Sequence, residues 1–331
     1  MKRLLRLMGI AFALVAGGYF VSQAYSALSD RDLSVLVDVR VIAASGLLLI
    51  CYALAIPITA LGWLWILRML GQPAHYGHLA PVLAVTQFGK YLPGNVAQHI
   101  GRVALVKSSN AKKSTIILSI FYETLLSVVA CAHISTLTLL WRLPPELAHW
   151  RVVEYRQPLV ALITAFAIAV LLTVPRIAPG IAAYRSNKTG TSSAQESPAS
   201  LRWNVVIGCY ALSVLNIALT GIGLWFVART LMGPTHPAPS MLFLTGAFAS
   251  TWILGFLAPG SPAGLGVREG VLSAWLGTVM PASQAIILIL VLRIATTLGD
   301  LVNFGWGSAV MAKQKKMEAQ PDPDDLRAGS P

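Results

Sequence analysis

Six apolar runs, at roughly 4–25, 41–67, 115–141, 158–174, 203–227 and 283–310, constrain this 331-residue chain more than any other feature. At about 1.5 Å rise per residue each can cross a hydrocarbon core of roughly 30 Å, the fourth only just. Their all-round apolarity predicts helices, because an open strand edge in lipid leaves backbone N–H and C=O groups without partners. Only 11% of residues are charged, against about 25% in soluble domains. Twenty-five Lys and Arg against thirteen Asp and Glu give a formal charge of +12. A soluble enzyme, a disordered chain and an ordinary nucleic-acid binder are excluded, since a basic nucleic-acid surface needs polar area that this chain lacks. The expectation is an all-α polytopic membrane protein.

Minor features add little. Cys51, Cys131 and Cys209 lie in three separate apolar runs without CxxC spacing and read as small buried hydrophobes. His75 and His78 lack a third ligand, and no metal or cofactor is expected. The first run follows Lys2, Arg3 and Arg6 and has a cleavage-like Ala24 and Ser26, yet its length favours a retained anchor over a secretory signal.

Two further apolar stretches are interrupted. Residues 78–89 run into Pro93 and Gly94, and residues 241–257 run into Pro259 and Gly260. Proline removes a donor and clashes with the preceding turn, so each helix is predicted to stop there. Broken backbone at membrane depth is tolerated only in protein or beside a wet cavity, which makes the breaks the first candidates for function. If both are re-entrant hairpins, seventeen Lys and Arg fall on the cytoplasmic side and seven outside. The positive-inside rule then places both termini in the cytoplasm. One transmembrane domain over 1–312 is expected, with halves at about 1–183 and 203–312, a polar linker at 184–202 and a disordered tail at 313–331.

The two breaks share a pattern. Gly89, Pro93, Gly94 and Arg102 fit G-x-x-x-P-G-x7-R, and Gly255, Pro259, Gly260 and Arg268 repeat it 166 residues later. One hairpin would open to the cytoplasm and the other outward, as in inverted repeats whose discontinuous helices carry transporter sites. A helix restarting after Pro-Gly presents unpartnered N–H groups and a positive dipole end, which suit a phosphate. Arg102 and Arg268 could add bidentate donors, or instead snorkel or pair with carboxylates. Asn95 could cap the restarted helix, and Gly264 and Gly266 would let a headgroup approach the backbone.

Glu123, Arg293 and Asp300 are intramembrane charges and mark either a coupling pathway or buried pairs, with Glu123–Arg293 and Arg268–Glu269 as the candidate pairs. Asp300 lies two helical turns beyond Arg293, on the same face.

Residues 89–95 followed by Gly101 and Arg102 resemble a signature of the lysylphosphatidylglycerol synthase transmembrane-region family, also called flippase-like membrane proteins. Residues 262–270 are similar to that family's second signature, and the resemblance spans about 5–312. By this resemblance Lys90, Pro93, Gly94, Asn95, Gly101 and Arg102 match the first motif, and Gly264, Gly266, Arg268 and Glu269 the second. The best understood members move an aminoacylated phospholipid across the cytoplasmic membrane and carry a soluble aminoacyl-transfer domain. The 331 residues contain no such domain, so lysyl transfer is not implied. Stand-alone members are associated with polyprenyl-phosphate and glycan pathways. The family often shows Glu-Arg in the third full span, where this chain has Glu123 and Thr124, so no role for a neighbouring arginine carries over.

The resulting expectation is a multi-pass protein of the bacterial inner membrane with about six full spans and two re-entrant broken-helix hairpins in an inverted repeat. It would translocate an anionic lipid rather than act as an enzyme, with membrane lipids as partners, a lipid or glycan synthase as a further candidate, and no nucleic acid. No nucleotide-binding P-loop motif is present. The alternatives are a membrane glycosyltransferase using a polyprenyl-phosphate sugar, with Asp30 or Asp32 in the first external loop, and a non-transporting partner subunit of a synthase.

Overall fold

The computed structural model describes residues 37–92, 96–106, 113–141, 154–189, 202–234, 236–258 and 261–318. Their regular elements are all helical, with no strand among them. The helices are α1 (Val39–Ala53), α2 (Ala55–Met69), α3 (Tyr76–Gln87), α4 (Ala97–Val106), α5 (Lys113–Trp141), α6 (Arg156–Thr189), α7 (Trp203–Met232), α8 (Met241–Leu257), α9 (Val267–Leu276) and α10 (Ala282–Glu318). Single 3-10 turns at Phe88–Tyr91 and Pro262–Gly264 follow α3 and α8. Five segments are long and apolar enough to cross a membrane: α1 with α2, α5, the Arg156–Arg176 part of α6, α7, and α10 to Met317. The protein is an all-α polytopic membrane protein. The apolar run at 4–25 lies outside the described residues.

Proline explains what periodicity missed. The run expected over 41–67 is two helices meeting at Leu54. Pro57 has no N–H for the Ala53 carbonyl four residues back, and Asn303 Nδ2 of α10 donates to that carbonyl at 3.2 Å instead. The same solution recurs in α3, where Pro81 leaves the Gly77 carbonyl free and Gln314 Nε2 reaches it at 3.0 Å. Neighbouring side chains thus satisfy the backbone groups that proline releases in a low-dielectric bundle. The helix α10 carries both donors and continues to Glu318, where a disordered tail was expected from residue 313. Lys315 and Lys316 in its last turn complement the negative end of the helix dipole. Similarly, α6 extends to Thr189, into the stretch read as a linker.

The 166-residue displacement found between the motifs extends to the whole architecture. The segment α1–α2 corresponds to α7, α3 to α8, α4 to α9 and α5 to α10, with α6 between the two halves. The packing exchanges across this relation: α3 rests on α10, α8 rests on α5, and α1 lies along α7. Each hairpin is therefore clamped by the closing span of the other half. Because α6 crosses once between them, the halves enter the membrane from opposite sides. Close helix approach is set by small residues, as at Gly223, where a Cβ would come within 2.7 Å of Leu48 Cα. Trp63 is fully buried and donates from Nε1 to Ser119 Oγ at 2.9 Å, so its one polar atom is satisfied.

Candidate functional site

At 12 and 10 residues, α3 and α4 are each far short of the roughly 20 residues that a spanning helix needs. They pack on each other, and so do α8 and α9. The chain therefore doubles back within each pair. Gly89 sits against the returning arm: a Cβ there would lie 2.6 Å from the Gln98 nitrogen and 2.9 Å from the Ala97 carbonyl carbon. In the second hairpin a Cβ on Gly264 would lie 2.9 Å from Gly255 Cα. Residues 89 and 98 correspond to 255 and 264 at the same displacement, so the motif glycine marks the point where the two arms touch. The two 3-10 turns also contact each other, bringing the breaks of both halves to one place.

In the second hairpin Ala263, Gly264 and Gly266 all have positive φ, at 50°, 71° and 81°. Glycine tolerates this region freely, whereas Ala263 is held there at a cost of about 1–3 kcal/mol. Pro93, Gly94, Asn95, Pro259 and Gly260, which carry the expected break, lie outside the described residues.

A cavity of 160 Å³ opens beside the meeting point, with Lys90, Arg102 and Glu123 from the first half and Arg268 from the second on its wall. The charges around it are arranged unequally. Arg102 Nη1 pairs with Glu123 Oε2 at 2.6 Å, and its guanidinium lies 5.4 Å from the centre of the Trp63 ring. Lys90 Nζ pairs with Asp300 Oδ2 at 2.7 Å and donates to the Tyr52 hydroxyl at 2.9 Å. Tyr91 and Tyr52 donate to the same carboxylate, at 2.6 and 3.2 Å. Arg293 pairs with Glu269 through its Nε. The pairs are thus Arg102–Glu123 and Arg293–Glu269, not the Glu123–Arg293 and Arg268–Glu269 combinations considered from sequence. Asp300, although on the Arg293 face of α10, serves Lys90.

Among the described residues the Arg268 guanidinium has no hydrogen bond or ion pair, and its Nε is buried. The repeat supplies the reason. The position equivalent to Glu123 in the second half is Ile289, which lines a smaller cavity together with Arg268, Glu269 and Arg293. Four cations face three carboxylates, and the surplus charge sits on Arg268. An unpaired guanidinium at this depth is costly unless an anion arrives, so the geometry favours binding one.

The other expected site residues are distributed around this centre. Gly101 packs on Thr86, where a Cβ would meet Cγ2 at 2.9 Å, and so sets the spacing of α3 and α4. Gly264 and Gly266 shape the second turn, and Glu269 faces the smaller cavity. Sequence reasoning missed several wall residues: Tyr52, Gln98, Asn216, Trp252 and Phe256. Asn216 was legible as an amide midway along a spanning helix, and Trp252 and Phe256 as an i,i+4 aromatic pair.

The description "Lysylphosphatidylglycerol synthase TM region" belongs to a family whose sequence profile matches residues 4–302. The chain belongs to that family. The match runs through both hairpins and into α10 as far as residue 302, so the family unit contains the whole cavity. No curated protein matches the chain.

Proposed function

We propose that this member of the lysylphosphatidylglycerol synthase TM-region family translocates an anionic lipid across the bacterial cytoplasmic membrane. The observation that carries the reading is the unpaired Arg268 on a cavity where two oppositely entering hairpins meet. A phosphate group entering the cavity neutralises that guanidinium through charge-assisted hydrogen bonds, while the acyl or prenyl chains remain in lipid. Exchange of the paired packing between the halves would open the cavity to one leaflet and then the other. The Arg102–Glu123 and Lys90–Asp300 pairs hold the first hairpin to α5 and α10, so the first half supplies the rigid wall and the second the binding charge. The positive-inside count supports cytoplasmic termini. A synthase that makes the cargo is the natural partner.

Reconstituted vesicles with a fluorescent phosphatidylglycerol test this reading. The protein is expected to accelerate transbilayer movement, and Arg268→Gln to slow it about ten-fold, the scale of one lost charge-assisted contact. An unchanged rate in the variant would remove the proposed role.

A further inference from the structure

The cavity's remaining chemistry specifies the headgroup. Each of the three nearby carboxylates has a cationic partner, Glu123 in Arg102, Asp300 in Lys90 and Glu269 in Arg293, and the one oxygen left bare, Glu269 Oε2, lies on the smaller cavity beside the Arg293 guanidinium. An ammonium-bearing headgroup would find no carboxylate without a cation already on it and would meet the positive surplus of Arg268. By contrast, uncharged polar groups are plentiful on the wall, where Ser127 and Ser213 bond each other at 3.2 Å.

Asn216 is the most informative of these. Its Nδ2 donates to Thr59 Oγ1 at 3.1 Å, while its Oδ1 is buried without a partner. A buried amide atom left bare costs about 1–3 kcal/mol, so a ligand that satisfies it is favoured. A hydroxyl both donates and accepts, and therefore serves whichever end of the amide faces the cavity. Trp252 and Phe256 complete the wall as a flat stacked pair, with ring centres 5.3 Å and planes 2° apart. Such a surface suits the C–H face of a small polyol or sugar and offers nothing to a second charge.

We infer that the cavity selects a lipid with a single phosphodiester charge and an uncharged hydroxylated headgroup, a glycerol or a sugar, against aminoacylated lipids. Arg268 takes the phosphodiester, Asn216 a hydroxyl, and the aromatic pair the carbon face. This inference rests on the lipid-translocation reading for its site but is tested by binding.

The protein in phosphatidylcholine nanodiscs is offered phosphatidylglycerol, phosphatidylinositol and lysyl-phosphatidylglycerol in equal amounts, and the retained lipid is counted by native mass spectrometry. The two hydroxylated anions are expected to be retained about ten-fold over the lysyl lipid. Arg268→Gln strands no carboxylate and so folds; it is expected to abolish the preference, and Asn216→Ala to reduce it about three- to ten-fold. Equal or better retention of the lysyl lipid, or an undiminished preference in Arg268→Gln, would overturn the inference. Displacement of the lipid by equimolar water-soluble glycerophosphoglycerol would overturn its lipid-borne source. Selective retention without movement in vesicles would refute translocation alone, and unselective movement the headgroup assignment alone.

Discussion

Arg102 and Arg268 hold the same place in their hairpins, yet Arg102 is closed by Glu123 at 2.6 Å while Arg268 faces Ile289 across a small cavity. Both cations of the first hairpin are thus answered from neighbouring spans, Lys90 by Asp300 of α10 at 2.7 Å. In the second, the position of Lys90 is taken by Phe256, a member of the stacked aromatic pair. The same frame therefore carries paired charges in one half and an unpaired guanidinium beside two aromatic rings in the other, which is the half that the proposed function makes the binding one. Backbone symmetry brings the breaks together, and side-chain asymmetry leaves the charge.

Three experiments bear on this contrast. The largest effect is expected when a partner is removed: Arg102→Gln leaves Glu123, half-buried on the cavity wall, uncompensated and should cost up to about 3–5 kcal/mol, read as denaturation in detergent. Arg268→Gln removes a charge that has no partner and should stay within about 1 kcal/mol of the parent. Equal losses would break the comparison.

An intermediate effect is expected at the motif glycines. Gly89→Ala drives a methyl into the returning backbone and should destabilise by about 1–3 kcal/mol. Gly255→Ala meets the Arg268 side chain, with a Cβ 2.5 Å from its Cγ and Nε. That chain can swing away, so the stability loss should be smaller and the loss of phosphatidylglycerol retention larger. The reverse order would show that the second tip is the rigid one.

The smallest stability change is expected from Ile289→Glu, which restores in the second half the carboxylate that the first half has. Its charge is offset by Arg268, and it should leave the melting temperature nearly unchanged while lowering phosphatidylglycerol retention about ten-fold. Undiminished retention would separate anion binding from the free guanidinium.

The sequence alone carried the helical class, the two breaks and their repeat, because these depend on local chemistry. Lipid forces helices on long apolar runs, and the missing N–H of proline favours ending one where the chain repeats its Gly-x-x-x-Pro-Gly spacing. Ion-pair choice was not legible. Glu123 could have met either of two arginines by type and depth, and only the placement of α4 against α5 selected Arg102. The split at Leu54 likewise needed Asn303, some 250 residues away in the chain, to make a freed Ala53 carbonyl tolerable. Most of all, the freedom of Arg268 is a property of what surrounds it, since a guanidinium reads the same in sequence whether paired or bare. Spacing can place a charge in the membrane, but its neutralisation depends on contacts between helices distant in the chain, and tertiary packing alone decides those.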